Sequence, residues 1–369
     1  QRSPEAPRGR VLDRTGKLLA TNRPAYHLIA APEDLLPEVY PRLARLLSIP
    51  EKTIRQRLAS PREYPFAPVV LAPDISRELL YEFEELRPEL PGISVQTDWI
   101  RSYPFSRTAS HIIGYLGKIN EKEYQAGERA RYGLTSLIGR SGIEKILDGQ
   151  LRGWRGAKEV EVNARGERIR VISEKSPIPG EDVTLTLDLE FQKKIGELIQ
   201  DKKATIVFLD LKTEELIALA SSPSFDPNVF VSPAGQEARL HFLEDRNSPL
   251  LDRGTSAVYP PGSIFKLVTA LAALQRGKIT AHTTFNCPGH FRLNRRSRPF
   301  RCWWSQGHGP LALYRALERS CNVYFYRVGR LVGPDALAET ARELGFGQSF
   351  QLEMTNLVPG LVPDSVWKK

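Results

Sequence analysis

The sequence predicts an α+β chain of two domains, 1–175 and 176–369. Strand-like and helix-like runs do not alternate as βαβ units, which favours a sheet-and-helix arrangement over a doubly wound sheet. The run Ser176-Pro177-Ile178-Pro179-Gly180-Glu181 has linker composition and closes a first part rich in Arg, Pro and Glu. With 369 residues, 41% of them apolar and 26% charged, the chain is long enough for each part to bury a core.

In the first part, apolar spacing predicts amphipathic helices over 41–58 and 75–86. Short strands are predicted at Val69-Val70-Leu71 and Ile93-Ser94-Val95. Residues 158–171 alternate apolar and polar around Gly166 and read as a hairpin with solvated outer faces. In the second part a strand is expected over 183–188 and a helix over 190–199. Strands over 204–209 and 215–220 follow, joined by a turn at 210–214. Tyr259-Pro260-Pro261-Gly262 supplies turn residues ahead of an Ala/Leu-rich run, so a buried helix is expected to start at Ser263. A further helical run covers 311–319. No internal repeat or low-complexity segment is present.

The formal net charge of +9 comes from basic residues spread along the chain, which suits an anionic partner such as a membrane surface, cell wall or nucleic acid. No zinc-finger helix, RNA-binding aromatic signature or basic arm is found, so nucleic acid is disfavoured. No apolar run approaches the roughly 18 residues of a membrane span. The start at Gln1, without methionine or signal peptide, suggests a trimmed ectodomain. All three cysteines lie between residues 287 and 321, and an odd count leaves at least one thiol outside any internal disulfide.

Two short motifs carry chemistry. In Ser263-Ile264-Phe265-Lys266, residues three apart share a helix face, so the Ser263 hydroxyl and Lys266 amine are expected to meet. A serine at the positive end of a helix with a base one turn along is an activated nucleophile. Ser320-Cys321-Asn322 follows the helical run at 311–319. Alone, each motif reads equally well as a capping serine or a helix-terminal turn. Together, in this order, they match the first two of the S-x-x-K, S-x-N and K-[ST]-G motifs of penicillin-recognising serine enzymes.

The sequence therefore resembles the class B penicillin-binding proteins. Arg8-Gly9-Arg10-Val11-Leu12-Asp13-Arg14-Thr15-Gly16 is similar to the first box of their pedestal. Arg107 through His111-Ile112-Ile113-Gly114-Tyr115-Leu116-Gly117 is similar to the second, and Gly139-Arg140-Ser141-Gly142-Ile143-Glu144 to the third. Arg–carboxylate pairing among these boxes would pin the pedestal. Cys287-Pro288-Gly289, Arg301-Cys302-Trp303 and Gly307-His308-Gly309 are similar to the elongation-specific penicillin-binding protein 2 subgroup. The resemblance implies a β-lactamase-like transpeptidase domain preceded by an elongated α+β pedestal.

It also implies a serine-type D-Ala-D-Ala transpeptidase that cross-links peptidoglycan stem peptides during elongation and is acylated by β-lactams. Ser263 would be the nucleophile, Lys266 the general base, Ser320 the proton shuttle and Asn322 a substrate and lysine contact. No cofactor would be needed for catalysis. The implied partners are a membrane glycan polymerase of the rod system and a scaffold protein, with the chain held on the periplasmic face of a bacterial inner membrane by an N-terminal helix. Alternative readings are a septal class B transpeptidase, or a non-catalytic sensor or scaffold. One departure stands out: no K-[ST]-G follows Asn322. Lys212-Thr213-Glu214 and Arg14-Thr15-Gly16 are decoys, in a predicted turn and a pedestal box. A C-terminally truncated transpeptidase domain, with uncertain activity of its own, is expected.

Cys287, Cys302, His308 and Cys321 form a Cys₃His set that suits a structural zinc in ligand type. The resemblance points to zinc at these positions. A Cys287–Cys302 disulfide, free buried thiols, or ligation completed by His290 or His282 remain alternatives. Trp303 and Trp304, flanking Cys302, are expected to pack against the same loop, with a substrate platform as the alternative. His27, His111 and His241 read as core or surface residues.

Overall fold

Leu18–Ala30 is the organising strand of the N-terminal part. It pairs antiparallel with Ile93–Ser102 along its length, with Val69–Ile75, and at its start with Val11–Leu12. Val11–Leu12 in turn pairs in parallel with Val183–Thr184. The structure, a computed structural model, describes residues 6–59, 68–126, 132, 136–162, 168–349 and 357–368. They fall into two compact units that divide between Thr255 and Ser256.

In the first unit, helices Val39–Leu46, Glu51–Leu58 and Arg77–Leu86 lay Leu43, Ile54 and Phe83 against Leu28 and Leu71 of the sheet. The single helix expected over 41–58 is two helices. Ser48 adopts a left-handed φ of 52°, and Pro50 caps the second helix without an N–H to continue the first. The third helix starts two residues inside its predicted range because Ser76 caps it, its hydroxyl accepting from Leu79 N at 3.2 Å. The strands seen in outline at 69–71 and 93–95 run on to Ile75 and Ser102. Ala157–Val162 and Arg168–Lys175 form the expected antiparallel hairpin, whose tip with Gly166 lies outside the described residues.

A buried knot of charge ties the first pedestal box, through Arg8, to the third, through Glu144. Glu144 accepts from Arg8 at 2.8 Å and Arg101 at 2.6 Å, and Asp148 from Arg8 at 3.0 Å and Arg152 at 2.9 Å. Tyr103 Oη also donates to Glu144, at 3.3 Å. Burial pushes the Glu144 pKa up, but Arg8 and Arg101 outweigh it and hold the carboxyl below its ordinary value. Around this knot pack Val11, Leu19, Ile112, Ile143, Leu151 and Leu189.

The strand expected over 183–188 is confined to Val183–Thr184, because Asp188 already caps the helix Leu189–Ile199 by accepting from Phe191 N at 2.9 Å. Ala204–Leu209 and Leu216–Ser222 then pair antiparallel. In the turn between them Asp210 accepts from Lys212 N at 2.7 Å and Thr213 N at 3.2 Å, so Lys212-Thr213-Glu214 is turn structure.

The second unit is built on the helices Phe265–Gln275, Leu313–Glu318, Asn322–Val332 and Pro334–Glu343. Two short ladders join them, Phe285–Cys287 with Gly309–Leu311 and His290–Phe291 with Phe300–Arg301. The ladder ending at Leu311 shortens the helix expected over 311–319. Phe265–Gln275 buries Val268, Ala270, Ala272 and Ala273, whose small side chains let neighbouring helices approach. Its other face exposes Leu267 and Leu274, so the helix is not buried all round as its composition suggested. No helix among the described residues is long and apolar enough to cross a membrane.

Candidate active site and metal centre

The tight turn into the serine helix is made by Gly262, at a φ of 57° that a side chain would strain. Ser263 sits in the single 3₁₀ turn Gly262–Ile264, and Lys266 one turn later in the α-helix. The two meet as their spacing predicts, Lys266 Nζ lying 3.2 Å from Ser263 Oγ. The S-x-N residues close over them. Lys266 Nζ donates to Ser320 O at 2.6 Å, Ser320 Oγ at 2.9 Å and Asn322 Oδ1 at 2.8 Å. Ser320 Oγ is also 3.0 Å from Ser263 Oγ, so both hydroxyls and the amine form a closed triangle.

Local backbone explains that closure. Ser320 has a φ of 47°, a left-handed conformation held by Ser320 N to Leu317 O at 3.0 Å and Cys321 N to Ala316 O at 2.9 Å. The turn aims both the carbonyl and the hydroxyl of Ser320 at the lysine. Asn322 then opens the next helix with its amide pointing the same way, and its Nδ2 donates to Arg301 O at 3.4 Å. Burial lowers the Lys266 pKa below the ordinary lysine value, opposed by the charge of Cys302 and Cys321. The Phe325 ring lies 5.9 Å from the same ammonium.

Two partners had no signal in the sequence, the Ser320 carbonyl and the Arg301 carbonyl, because any residue type supplies a backbone oxygen. An apolar cleft of about 730 Å³ opens beside Ser263, Lys266 and Asn322, walled by Phe265, Phe291, Phe300 and Phe325.

Cys287, Cys302, His308 and Cys321 converge, with one ligand atom of each within 4.8 Å of all the others. All three thiols are free, so no Cys287–Cys302 disulfide forms, and neither His290 nor His282 joins the cluster. His308 Nδ1 lies 3.7 Å from Cys287 Sγ and 3.6 Å from Cys302 Sγ. A tetrahedral zinc with its usual bond lengths sets such N···S edges at about 3.6 Å, so the donor set fits a structural metal in both chemistry and spacing. The N–H groups of Trp304, Val323 and Asn322 lower the Cys302 pKa against the effect of burial, as backbone donors do around thiolate ligands. Burial pushes the Cys321 thiol up to about 12. Cys321 also caps the Asn322–Val332 helix, its sulfur accepting from Tyr324 N at 3.5 Å, so the cluster and the S-x-N turn share a residue.

Trp303 packs against the loop as expected, its ring 5.5 Å from His308 and 5.8 Å from Trp304, yet the two side chains remain 61% and 46% exposed.

A nucleophilic hydroxyl, an amine one turn away, a second hydroxyl joining them and an amide at the cleft mouth define a serine acyl-transfer site. The comparisons with known proteins agree. Residues 3–185 match the penicillin-binding protein dimerisation domain, and residues 204–368 match the penicillin-binding protein transpeptidase domain. The chain is 35% identical over 374 residues to the peptidoglycan D,D-transpeptidase MrdA of Escherichia coli K12, covering 99% of this chain but only 59% of that relative's length. A penicillin-binding protein 2 from Helicobacter pylori, solved in complex with MreC, superposes with a TM-score of 0.85 at 28% identity, covering 99% of this chain and 69% of that one. A structure from a peptidoglycan synthase complex that coordinates polymerization and crosslinking gives 0.72 at 33% identity, covering 100% and 64%. The chain belongs to the class B penicillin-binding proteins of the elongation-specific penicillin-binding protein 2 type.

Proposed function

We propose that the protein containing this chain is a peptidoglycan D,D-transpeptidase acting in cell-wall elongation. The observation that supports this best is the triangle of Ser263, Lys266 and Ser320, with Asn322 completing it. Neutral Lys266 takes the Ser263 proton as Oγ attacks the carbonyl of the penultimate D-alanine of a stem peptide. The negative charge formed on the carbonyl oxygen is met by the Ser263 backbone N–H. Ser320, touching both groups, relays the proton from Lys266 to the departing amine as the C–N bond breaks and D-alanine leaves. An acceptor amine from a second stem then attacks the ester, its proton returns to Ser263 by the same route, and a cross-link remains. A β-lactam acylates Ser263 in the same way and releases slowly.

Residues 1–175 serve in this reading as the partner-docking pedestal and residues 176–369 as the transpeptidase domain. The relative solved with MreC and the relative from a synthase complex support docking of a scaffold protein and a glycan polymerase. The same reading places the protein on the periplasmic face of the inner membrane. Zinc at Cys287, Cys302, His308 and Cys321 would be structural, fixing the S-x-N turn through Cys321 and taking no part in the reaction. The Cys-His cluster favours the elongation type over the septal type.

The test is cross-linking of glycan strands bearing stem peptides by the full-length protein. Wild type is expected to form cross-links and release D-alanine, and Ser263→Ala to do neither. Cross-links formed equally by Ser263→Ala would refute the assignment.

A further inference from the structure

The two tryptophans beside the metal cluster are exposed, rigidly held and continuous with the acylation site. Trp303 Nε1 donates to Arg319 O at 3.0 Å, and Arg319 directly precedes Ser320. Its ring stands 5.8 Å from that of Trp304, the planes 62° apart, and 5.5 Å from His308. The supporting loop has no slack. A Cβ on Gly289 would fall 2.1 Å from Ser305 O, and one on Gly307 would fall 2.2 Å from Cys287 O, so the two turns pack backbone on backbone. On the other side, Arg301 O takes the Asn322 amide. Large aromatic faces held in solvent at a fixed angle serve recognition rather than packing.

The charge around them narrows the ligand. Residues 290–319 carry seven arginines against one acid, Glu318. Glu318 pairs with Arg315 at 2.7 Å, which leaves Arg301 and Arg319, both exposed, uncompensated among the described residues beside the tryptophans. Aromatic faces next to Arg301 and Arg319 suit a ligand with apolar C–H faces and with carboxylates or hydroxyls at its edges. A sugar ring has both.

We propose that Trp303 and Trp304 form a sugar-stacking platform that holds an N-acetylhexosamine glycan strand beside Ser263. The inference rests on the transpeptidase reading and deepens it: the enzyme grips the glycan backbone as well as the stem peptide. A strand seated there places a pendant peptide at Ser320 and Asn322 without further rearrangement, and the fixed loop makes little ordering cost on binding.

The test uses full-length protein and chitohexaose, a β-1,4-linked N-acetylglucosamine hexamer without any peptide, followed by tryptophan fluorescence and calorimetry. Wild type is expected to bind with a change in indole emission. The double variant Trp303→Ala/Trp304→Ala is expected to bind at least tenfold more weakly, and Trp303→Phe/Trp304→Phe within threefold of wild type. Penicillin acylation and metal content, measured on the same samples, are expected to stay within twofold in both. No binding by wild type, or equal binding by the alanine variant, overturns the platform. Joint loss of acylation and metal in the alanine variant assigns the tryptophans to packing and overturns it too. A wild type that fails to react with penicillin would instead refute the transpeptidase reading on which it rests.

Discussion

Lys266 has four oxygens around one amine, from Ser263, both polar atoms of Ser320 and Asn322, in a site that burial makes unfavourable for its charge. Removing the amine by Lys266→Ala is expected to slow acylation by about 10²–10⁴-fold, the usual worth of a positioned general base, while leaving the fold intact. A stopped-flow acylation rate with a chromogenic β-lactam checks it. The lowered pKa also sets the pH profile. Only the neutral amine accepts the Ser263 proton, so acylation rises with pH and levels off below the ordinary lysine pKa of 10.5. A rate still rising through pH 10.5 would contradict the burial effect. At this scale the site was legible because its parts are short and local. S-x-x-K is one helical turn, and S-x-N is one turn and a cap. The contribution of Arg301 was not legible, since a carbonyl leaves no trace in residue type. The exposure of Trp303 and Trp304 was hidden for a related reason: composition favours burial.

Among the elements, the pedestal knot carries the most concentrated electrostatics. Glu144 is fully buried with Arg8, Arg101 and Tyr103 around it. Glu144→Gln would leave two buried guanidiniums without their shared carboxylate and is expected to destabilise the first unit by about 3–5 kcal/mol, read from urea unfolding. The sign of the pH effect follows from its depressed pKa. The stabilisation is fully present above the ordinary glutamate value of 4.5 and is lost as pH falls through the lower folded-state value. Unfolding midpoints that stay flat below pH 4.5 in wild type, or that fall equally in Glu144→Gln, would contradict it. Arg–carboxylate pairing among the boxes was anticipated, and Arg8 with Glu144 supplies it, but Arg101 was not, because it lies outside all three boxes. Helix periodicity at 41–58 hid a break for a different reason: the apolar spacing continues across Ser48 and Pro50 although the backbone does not.

Over the whole molecule, two family matches in series and the motif order place the chain among the penicillin-binding proteins, although it spans about three-fifths of its Escherichia coli relative. What pattern reading left open was the state of the cysteines, because spacings of 15, 6 and 13 residues do not specify convergence and the fold does. One equivalent of zinc per chain is expected by elemental analysis. Its removal by a chelator is expected to lower the melting temperature by several degrees and to slow acylation, since Cys321 sits inside the S-x-N turn. A metal-free protein that acylates at full rate would contradict this. The account as a whole stands on Ser263. Full-length protein incubated with benzylpenicillin, digested and mapped by mass spectrometry is predicted to carry a single adduct on the peptide containing Ser263, absent in Ser263→Ala. No adduct, or an adduct on another residue, would contradict the account.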